Sequence, residues 1–214
     1  MSILTKFQVD IIKKLSEITH FKDFFLAGGT ALSEFYLSHR YSDDLAFFTE
    51  VENRIPQIMS KLPNITKEFN AELEFGRRFE TFTECFFIRG KERVRIDFAK
   101  DIPFRLKPKI FQKHLGIYID NVLDISCNKF SALFDRHDAK DFVDIYFIDK
   151  EIMPFEKVYE NAKKKHIGLD DYWLAVSLHF VEKIQLLPKM IKKLNLQDLK
   201  LFYRSKIKNL DLQK

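Results

Sequence analysis

A glycine pair at the end of an apolar run is the first feature of this sequence that could do chemistry. Gly28, Gly29 and Thr30 follow a predicted buried strand, Phe24–Ala27, and open a predicted helix with Thr30 as its N-cap. A helix N-terminus offers free N–H groups and a partial positive charge, and glycine lets phosphate oxygens approach the backbone. The turn therefore predicts a phosphate-binding site. The alternative is a tight strand-to-helix turn without a ligand.

A second polar cluster precedes the next predicted strand, Leu45–Thr49. Side chains alternate between the two faces of a strand, so Asp44 and Ala46 point to one face and Asp43 to the other. Mg²⁺ prefers one or two carboxylates together with phosphate oxygens and water, which makes Asp44 a candidate ligand. The alternative is that Ser42 and Asp43 form only a polar turn.

A third carboxylate, Asp97, interrupts a predicted strand at Val94–Ala99. A charge in such a run is costly unless it is paired or bound to a metal ion. Asp97 is therefore a second candidate metal ligand. The alternative is a salt bridge with Arg93 or Arg95.

Acidic and basic residues recur on two predicted helices further along the chain. Lys129 and Arg136 are seven residues apart and share a helix face, as do Asp141 and Asp144, which are three apart. A lysine in a cleft can hold a triphosphate as a point charge. For any one of these residues alone, a local ion pair on a charged helix face is the simpler interpretation.

Together the four clusters resemble the signature of the DNA polymerase β-like nucleotidyltransferases, and more narrowly that of the AbiEii/AbiGii toxin family of abortive-infection and toxin–antitoxin systems. That family has a Gly-Gly-Thr turn, a Ser-x-Asp-hydrophobic-Asp segment and a later strand Asp, here matched by Gly28–Thr30, Ser42–Leu45 and Asp97. Its helical Lys, Arg and Arg-Asp-x-x-Asp segment are matched by Lys129, Arg136 and 140–144, with Lys140 in place of Arg. The resemblance spans roughly residues 24 to 149.

The resemblance implies an α+β fold, in which a mixed sheet with flanking helices precedes a C-terminal helical lobe. It also implies Mg²⁺-dependent transfer of a nucleotidyl group from an NTP, with GTP one candidate, to an RNA acceptor such as tRNA. A two-metal site and a cognate antitoxin belong to the same implication. The implied catalytic residues are Asp44, Asp97, Lys129 and Asp141, the implied metal ligands Asp44 and Asp97, and the implied nucleotide-binding residues Gly28, Gly29, Thr30, Ser42 and Lys129.

One departure from the family pattern concerns its second Asp, which corresponds to Ala46 here. With Asp44 and Asp97 alone, a second metal site should be weakened, because Asp43 faces the other way on a strand. An engineered change, a natural loss of activity and replacement by another carboxylate are all open explanations. A non-catalytic descendant that binds nucleotide or RNA is therefore the alternative function, and a pure protein-interaction module is a third.

The remaining periodicity predicts a strand-rich region followed by helices, with a domain boundary near residue 122 that gives domains 1–122 and 123–214. Further strands are predicted at Ile65–Phe75, Phe79–Arg89 and Ile117–Ile119. Helices are predicted over residues 3–19, 53–62, 124–134, 138–148, 155–165, 172–184 and 188–202, with Pro188 in the first turn of the last.

Composition bounds the class of protein. A chain of 214 residues with 46% hydrophobic residues can bury a core, and it has no uncharged run long enough to span a membrane, so we expect a cytoplasmic protein. Cys85 and Cys127 stand singly, which predicts buried free thiols. The net charge of +5 is concentrated in residues 183–214, which carry nine basic and two acidic residues. That tail and the basic stretch 91–113 are candidate RNA contacts, and soluble basic surface is the alternative.

Overall fold

The computed structural model describes residues 2–211, and contacts between residues group them into two compact units. Unit 1 comprises the chain up to Glu34 together with Ser42–Asn121. Unit 2 comprises Phe35–Tyr41 together with the chain from Val122 onward. The predicted domains did not anticipate that a short segment near residue 40 groups with the second unit, and the boundaries 1–122 and 123–214 stay a prediction.

Unit 1 is built on a seven-stranded mixed sheet, as the predicted fold class requires. Its strand order is β3-β4-β5-β2-β1-β7-β6, with β2 parallel to β5, β1 parallel to β7, and antiparallel pairing elsewhere. The strands are β1 Phe24–Ala27, β2 Leu45–Thr49, β3 Glu72–Phe79, β4 Phe82–Arg89, β5 Glu92–Lys100, β6 Ile110–Gln112 and β7 Ile117–Ile119. The helices are α1 Lys6–Ser16, α2 Gly28–Leu32, α3 Arg54–Met59 and α4 Leu62–Glu68, with a 3-10 turn at Thr19–Asp23. A π-helical turn at Ser33–Leu37 follows α2 and runs into the segment that groups with unit 2.

The two faces of this sheet differ in character. On one face, phenylalanine rings from neighbouring elements pack against each other: the ring centroid of Phe47 lies 5.0 Å from that of Phe21 and 5.8 Å from that of Phe98. On the other face, the side chains of Ala46 and Asp97 are only half-buried. A sheet with one face in the core and one open to solvent alternates in this way. The open face is therefore where unit 1 can bind a ligand.

Unit 2 is helical in the residues that the structure describes. Its helices are α5 Val122–Arg136, α6 Ala139–Glu151, α7 Phe155–Lys165, α8 Asp171–His179 and α9 Leu196–Asp211, with a 3-10 turn at Phe180–Lys183. Aromatic side chains fill the core between them. The fully buried Tyr203 of α9 donates a hydrogen bond from its hydroxyl to the backbone oxygen of Phe142 in α6, at 2.7 Å.

Several predicted elements coincide with the structure, and others differ in type or in bounds. The bounds of β1, β2, β7 and α7 match the prediction. Part of the strand predicted at Ile65–Phe75 is helix α4, because Pro63 fits a first helical turn and burial of Ile65 overrides its β propensity. Thr30 is not an N-cap: α2 begins two residues earlier, at Gly28.

The last predicted helix is also displaced along the chain, since α9 begins at Leu196 rather than near Pro188. The intervening residues instead pair with an extended segment of the same unit. Tyr41 N–H donates to Lys189 O at 2.8 Å, and Ile191 N–H donates to His39 O at 2.9 Å. Such long-range pairing leaves no local periodicity for the sequence to show.

Two predictions from composition concern the thiols and the membrane. Cys85 and Cys127 are both free and buried, as predicted. Burial raises the pKa of the Cys85 thiol to about 12, which makes it an inert core residue. Within residues 2–211, the helices are too short or too polar for any of them to cross a bilayer.

Candidate active site

The glycine turn of unit 1 has the backbone geometry that only glycine adopts readily. Gly28, at the first position of α2, has φ of +70°, in the left-handed region. Ala27 stands at the N-cap and provides no side-chain hydrogen bond to α2. The N–H groups of this first turn therefore lack a side-chain cap, which suits an approaching anion.

Thr30 and Ser42 hold this turn against the chain that leads into β2. The Thr30 side chain is buried, and its hydroxyl lies 2.5 Å from the backbone oxygen of Asp44 and 2.8 Å from Ser42 Oγ. Asp44 itself is exposed, one residue before β2 begins. Thr30 thus positions Ser42 and Asp44 through its hydroxyl, and only its backbone could take part in a phosphate cradle.

Strand register aligns the candidate residues of unit 1 in one row across the sheet. Ala27 of β1 is paired with Ala46 of β2, Ala46 with Asp97 of β5, and Asp97 with Glu84 of β4. A Cβ atom added to Gly28 would lie 3.6 Å from the Ala46 Cβ. Position 46 therefore lies between the glycine turn and Asp97, where an additional carboxylate would join Asp97.

A guanidinium group neutralises Asp97. Arg95 Nε donates to Asp97 Oδ1 at 3.0 Å and Nη2 to Oδ2 at 2.8 Å, while Nε also lies 3.1 Å from Glu84 Oε1. This confirms a salt bridge with Arg95 rather than Arg93, which pairs with Glu74. Burial raises the pKa of Asp97; Arg95 opposes that effect, and the nearby charges of Asp44 and Glu84 add to it.

Glu84 is a carboxylate that sequence reasoning did not single out. Its Oε1 lies 3.5 Å from Arg77 Nη2, and its Oε2 accepts the Arg77 backbone N–H at 3.3 Å. A Cβ atom at Gly76 would lie 2.3 Å from Glu84 Oε2, so this glycine leaves the room that the carboxylate occupies. The alternation of β4 could have placed Glu84 on the half-buried face, but only the register with β5 sets it opposite Asp97.

The candidate residues of unit 2 form a buried ion-pair network. Lys129 Nζ lies 3.0 Å from Asp141 Oδ1 and 2.6 Å from Asp144 Oδ2, and only 5% of the Lys129 residue surface is exposed. Arg136 holds Asp141 with two bonds, from Nε at 2.6 Å and Nη2 at 2.8 Å. Lys140 pairs with Asp138 instead, at 3.4 Å. An ammonium group has three donors, and these two contacts account for two of them among the described residues.

The segment Phe35–Tyr41 completes this network. Arg40 donates to both oxygens of Asp144, from Nε at 2.6 Å and Nη2 at 2.8 Å, and His39 Nε2 lies 2.7 Å from Asp144 Oδ1. Arg40 lies in the sequence just before the Ser42–Leu45 segment that matches the family pattern, whereas His39 showed no spacing signal. Three side chains thus converge on the carboxylate of Asp144, which is completely buried.

Electrostatics explain how these charges remain buried. Burial by itself would raise the pKa of Asp144, but Lys129 and Arg40 hold it well below its usual value. Burial likewise opposes ionisation of Asp141, and Lys129 and Arg136 outweigh it, so its pKa is also lowered. Burial lowers the pKa of His39 despite Asp144. The His39 ring is therefore neutral at pH 7 and donates its Nε2–H to the ionised Asp144.

Comparison with known proteins identifies the family of this chain. Residues 10–200 match the family described as nucleotidyl transferase AbiEii toxin, type IV TA system. The chain belongs to this family. An uncharacterized protein of Aquifex aeolicus (strain VF5) is 28% identical over 183 residues, which is 85% of each chain.

Solved structures resemble the chain in fold. MenT4, a nucleotidyltransferase toxin from Mycobacterium tuberculosis H37Rv, is 14% identical with a TM-score of 0.60, covering 95% of this chain and 81% of that one. JHP933 from Helicobacter pylori is 20% identical with a TM-score of 0.55, covering 95% and 90%. The AbiEii family assignment makes nucleotidyl transfer the activity class, with an NTP as substrate and an antitoxin as partner.

AbiEii-type nucleotidyltransferases generally use a divalent metal, and the donor set of this chain can be tested against that requirement. Within residues 2–211, no three His, Cys, Asp or Glu side chains converge into a metal-binding group. Asp44 is exposed, and its charge raises the pKa of Asp97. Both oxygens of Asp97 accept hydrogen bonds from Arg95. The residues fit one Mg²⁺ that takes most of its ligands from phosphate and water, and they do not fit a two-metal centre.

Proposed function

We propose that this chain transfers a nucleotidyl group from an NTP to an RNA acceptor such as tRNA, with Mg²⁺ as the cofactor. The alignment of the Gly28 turn, Ala46 and Asp97 in one row, beside Asp44, is the observation that carries the proposal. It brings an anion-binding backbone next to carboxylates on the open face of the sheet. GTP is one candidate for the NTP.

Each group in unit 1 has a separate task in this reaction. The backbone N–H groups of Gly28 and Gly29 cradle phosphate oxygens, and Ser42 adds a hydroxyl at the edge of the turn. Thr30 fixes the turn through its bond to the Asp44 backbone. Asp44 and Asp97 are the proposed ligands for Mg²⁺. When bound, Mg²⁺ neutralises phosphate charge and lowers the pKa of the attacking hydroxyl.

The roles proposed for unit 2 follow the family pattern. Lys129 neutralises the triphosphate as a point charge, and Asp141 orients the nucleotide or the acceptor. The ion pairs of Lys129 with Asp141 and Asp144 support this proposal, because they fix the ammonium group in one geometry before a ligand arrives.

A transfer assay tests the proposal. The chain is incubated with each labelled NTP, Mg²⁺ and total tRNA. The variants Ala46→Asp, which adds a carboxylate, and Asp44→Asn, which removes one, are assayed in parallel. We expect RNA labelling by the unaltered chain, an increase of roughly tenfold for Ala46→Asp, and loss of labelling for Asp44→Asn. Absence of labelling by both the unaltered chain and Ala46→Asp contradicts the proposal.

Ala46 itself favours a second candidate function. A chain that retains the glycine turn and Asp44 but lacks the carboxylate at position 46 could bind NTP or RNA without catalysis. Labelling by Ala46→Asp together with none by the unaltered chain, under conditions where the latter binds NTP, identifies that non-catalytic function.

A further inference from the structure

The charge distribution around Asp97 departs from what a two-metal centre would need. Asp97 and Glu84 are paired across β5 and β4 and both contact the Arg95 guanidinium, and the charge of Asp44 also raises the pKa of Arg95. Two divalent cations would need carboxylates with free oxygens. Position 46 supplies none, and Asp97, the proposed ligand of the one Mg²⁺, already accepts bonds from Arg95 at both of its oxygens and has none to spare for a second cation.

The Arg95 guanidinium is anchored rather than free. The bonds to Asp97 and the contact with Glu84 use Nε and Nη2 of Arg95. Among the described residues, none of these contacts involves Nη1. A guanidinium has five N–H donors in a planar fork, and planar forks match phosphate oxygens. About a third of the Arg95 side chain, 32%, is exposed, so these donors can reach a ligand on the open face.

The position of Arg95 relates it to the missing carboxylate. Arg95 and Asp97 lie two residues apart on β5 and so share a face, and Asp97 is paired directly with Ala46. Ala46 has no side-chain charge that could compete with Asp97 for the guanidinium. Arg95 is thus held at Asp97 in part because position 46 has no carboxylate that could attract the guanidinium.

We propose that the guanidinium of Arg95 takes the place of a second divalent cation in this chain and binds the triphosphate of the NTP, so that a single Mg²⁺ suffices. The inference rests on the proposed function, since it concerns the same nucleotide. A salt bridge that only neutralises Asp97 is the competing interpretation. The two differ in whether loss of Arg95 weakens nucleotide binding.

Mn²⁺ in place of Mg²⁺ allows the metal to be counted directly by electron paramagnetic resonance. The chain is titrated with Mn²⁺ at a saturating concentration of a non-hydrolysable GTP analogue, and analogue affinity is measured by calorimetry at saturating Mn²⁺. We expect one Mn²⁺ per complex. Arg95→Gln should weaken analogue binding roughly tenfold or more without adding a second Mn²⁺, and Arg95→Lys should restore part of the affinity.

Arg93→Gln is the matched control, because Arg93 lies on the same strand, loses the same charge and pairs with the exposed Glu74. Its analogue affinity should stay unchanged, and circular dichroism melting should show that both variants fold. Two Mn²⁺ per complex in the unaltered chain, or equal affinities for Arg95→Gln and Arg93→Gln, overturns the inference.

Both measurements are made without any transfer step, so they separate this inference from the proposed function. Labelling of RNA by a chain that binds two Mn²⁺ contradicts the role of Arg95 and leaves the proposed function standing. A chain that binds one Mn²⁺ and needs Arg95 for the analogue, yet labels no RNA even as Ala46→Asp, supports the role of Arg95 and contradicts catalysis. Failure of the unaltered chain to bind the analogue overturns the inference.

Discussion

At Gly28 the backbone, rather than a side chain, is the proposed functional group. Its φ of +70° costs an ordinary residue about 1–2 kcal/mol of stability. Gly90, in the turn between β4 and β5, has φ of +59° with open space around its Cβ position, so it provides a matched comparison. The two glycines share the conformation and differ in the proposed ligand.

We therefore expect Gly28→Ala and Gly90→Ala to lower the free energy of unfolding by similar amounts, about 1–2 kcal/mol, in urea denaturation. Only Gly28→Ala should also weaken binding of an Mg²⁺–NTP complex, because only that turn is proposed to hold phosphate. Equal nucleotide affinities in the two variants would show that the glycine turn does not bind the nucleotide.

Residue types alone nominated the candidate residues of this site, which stay a prediction, but they did not show which side chains lie beside each candidate. Asp97 interrupts an apolar strand, so its need for a partner was visible in the sequence. The bidentate geometry with Arg95 and the proximity of Glu84 depend on side-chain conformation and on the register between β4 and β5. The consequence of Ala46 likewise became definite only when register set it beside Asp97.

At the scale of elements, the segment Phe35–Tyr41 illustrates what local patterns cannot show. It begins in the π-helical turn, backbone hydrogen bonds with Lys189 and Ile191 hold only its end at Tyr41 and His39, and it contributes His39 and Arg40 to the network of α5 and α6. Strands with strong apolar runs, such as β1 and β2, were predicted with their observed bounds. Helix α4 was missed where burial and a proline outweighed β propensity, and β6 is too short, at three residues, to give a pattern.

The buried His39 predicts how stability depends on pH. The unfolded chain takes up a proton on this residue below its ordinary pKa of 6.5, whereas burial lowers the pKa in the folded chain. The free energy of unfolding should therefore fall as the pH drops from about 6.5 towards the folded-state pKa, by up to about 1.4 kcal/mol per pH unit. Asp144, Arg40 and Lys129 are the charged groups that act on His39.

His39→Gln keeps an N–H donor for Asp144 and removes the titrating group. Urea denaturation between about pH 5 and pH 7 should show a flatter dependence for this variant than for the unaltered chain. His20→Gln, at an exposed position, serves as the control and should keep the full dependence. In both variants a further decrease should begin below about pH 4, because the lowered pKa values of Asp141 and Asp144 stabilise the folded chain only while those groups are ionised. An unchanged slope for His39→Gln would refute the assignment of His39 as neutral.

At the scale of the whole chain, the excess of positive charge in residues 183–214 is less available than the sequence suggested. Lys192 pairs with Glu151 at 2.6 Å, Arg204 with Glu182 at 2.7 Å, and Lys206 with Asp149 at 3.0 Å. Lys214 lies outside the described residues. The basic stretch 91–113 is similarly engaged, since Lys100, Arg105 and Lys109 contact glutamates. Much of the basic surface is thus balanced by acidic side chains.

The remaining lysines of the tail make the RNA proposal testable. Four of them are exposed and have no ion pair to an acidic side chain among the described residues: Lys183, Lys189, Lys193 and Lys208. If they bind RNA phosphates, replacing all four by Gln should reduce the slope of log affinity for tRNA against log salt concentration by about 0.7 for each phosphate that is no longer neutralised.

The control is a second set of four Lys→Gln replacements with the same change in charge, at exposed lysines of unit 1: Lys6, Lys22, Lys61 and Lys67. Counterion release depends on which phosphates are neutralised rather than on net charge alone, so the unit 1 set should leave the slope nearly unchanged. Equal slopes for the two sets would show that the tail contributes solubility and general attraction, and RNA would then have to bind another part of the chain.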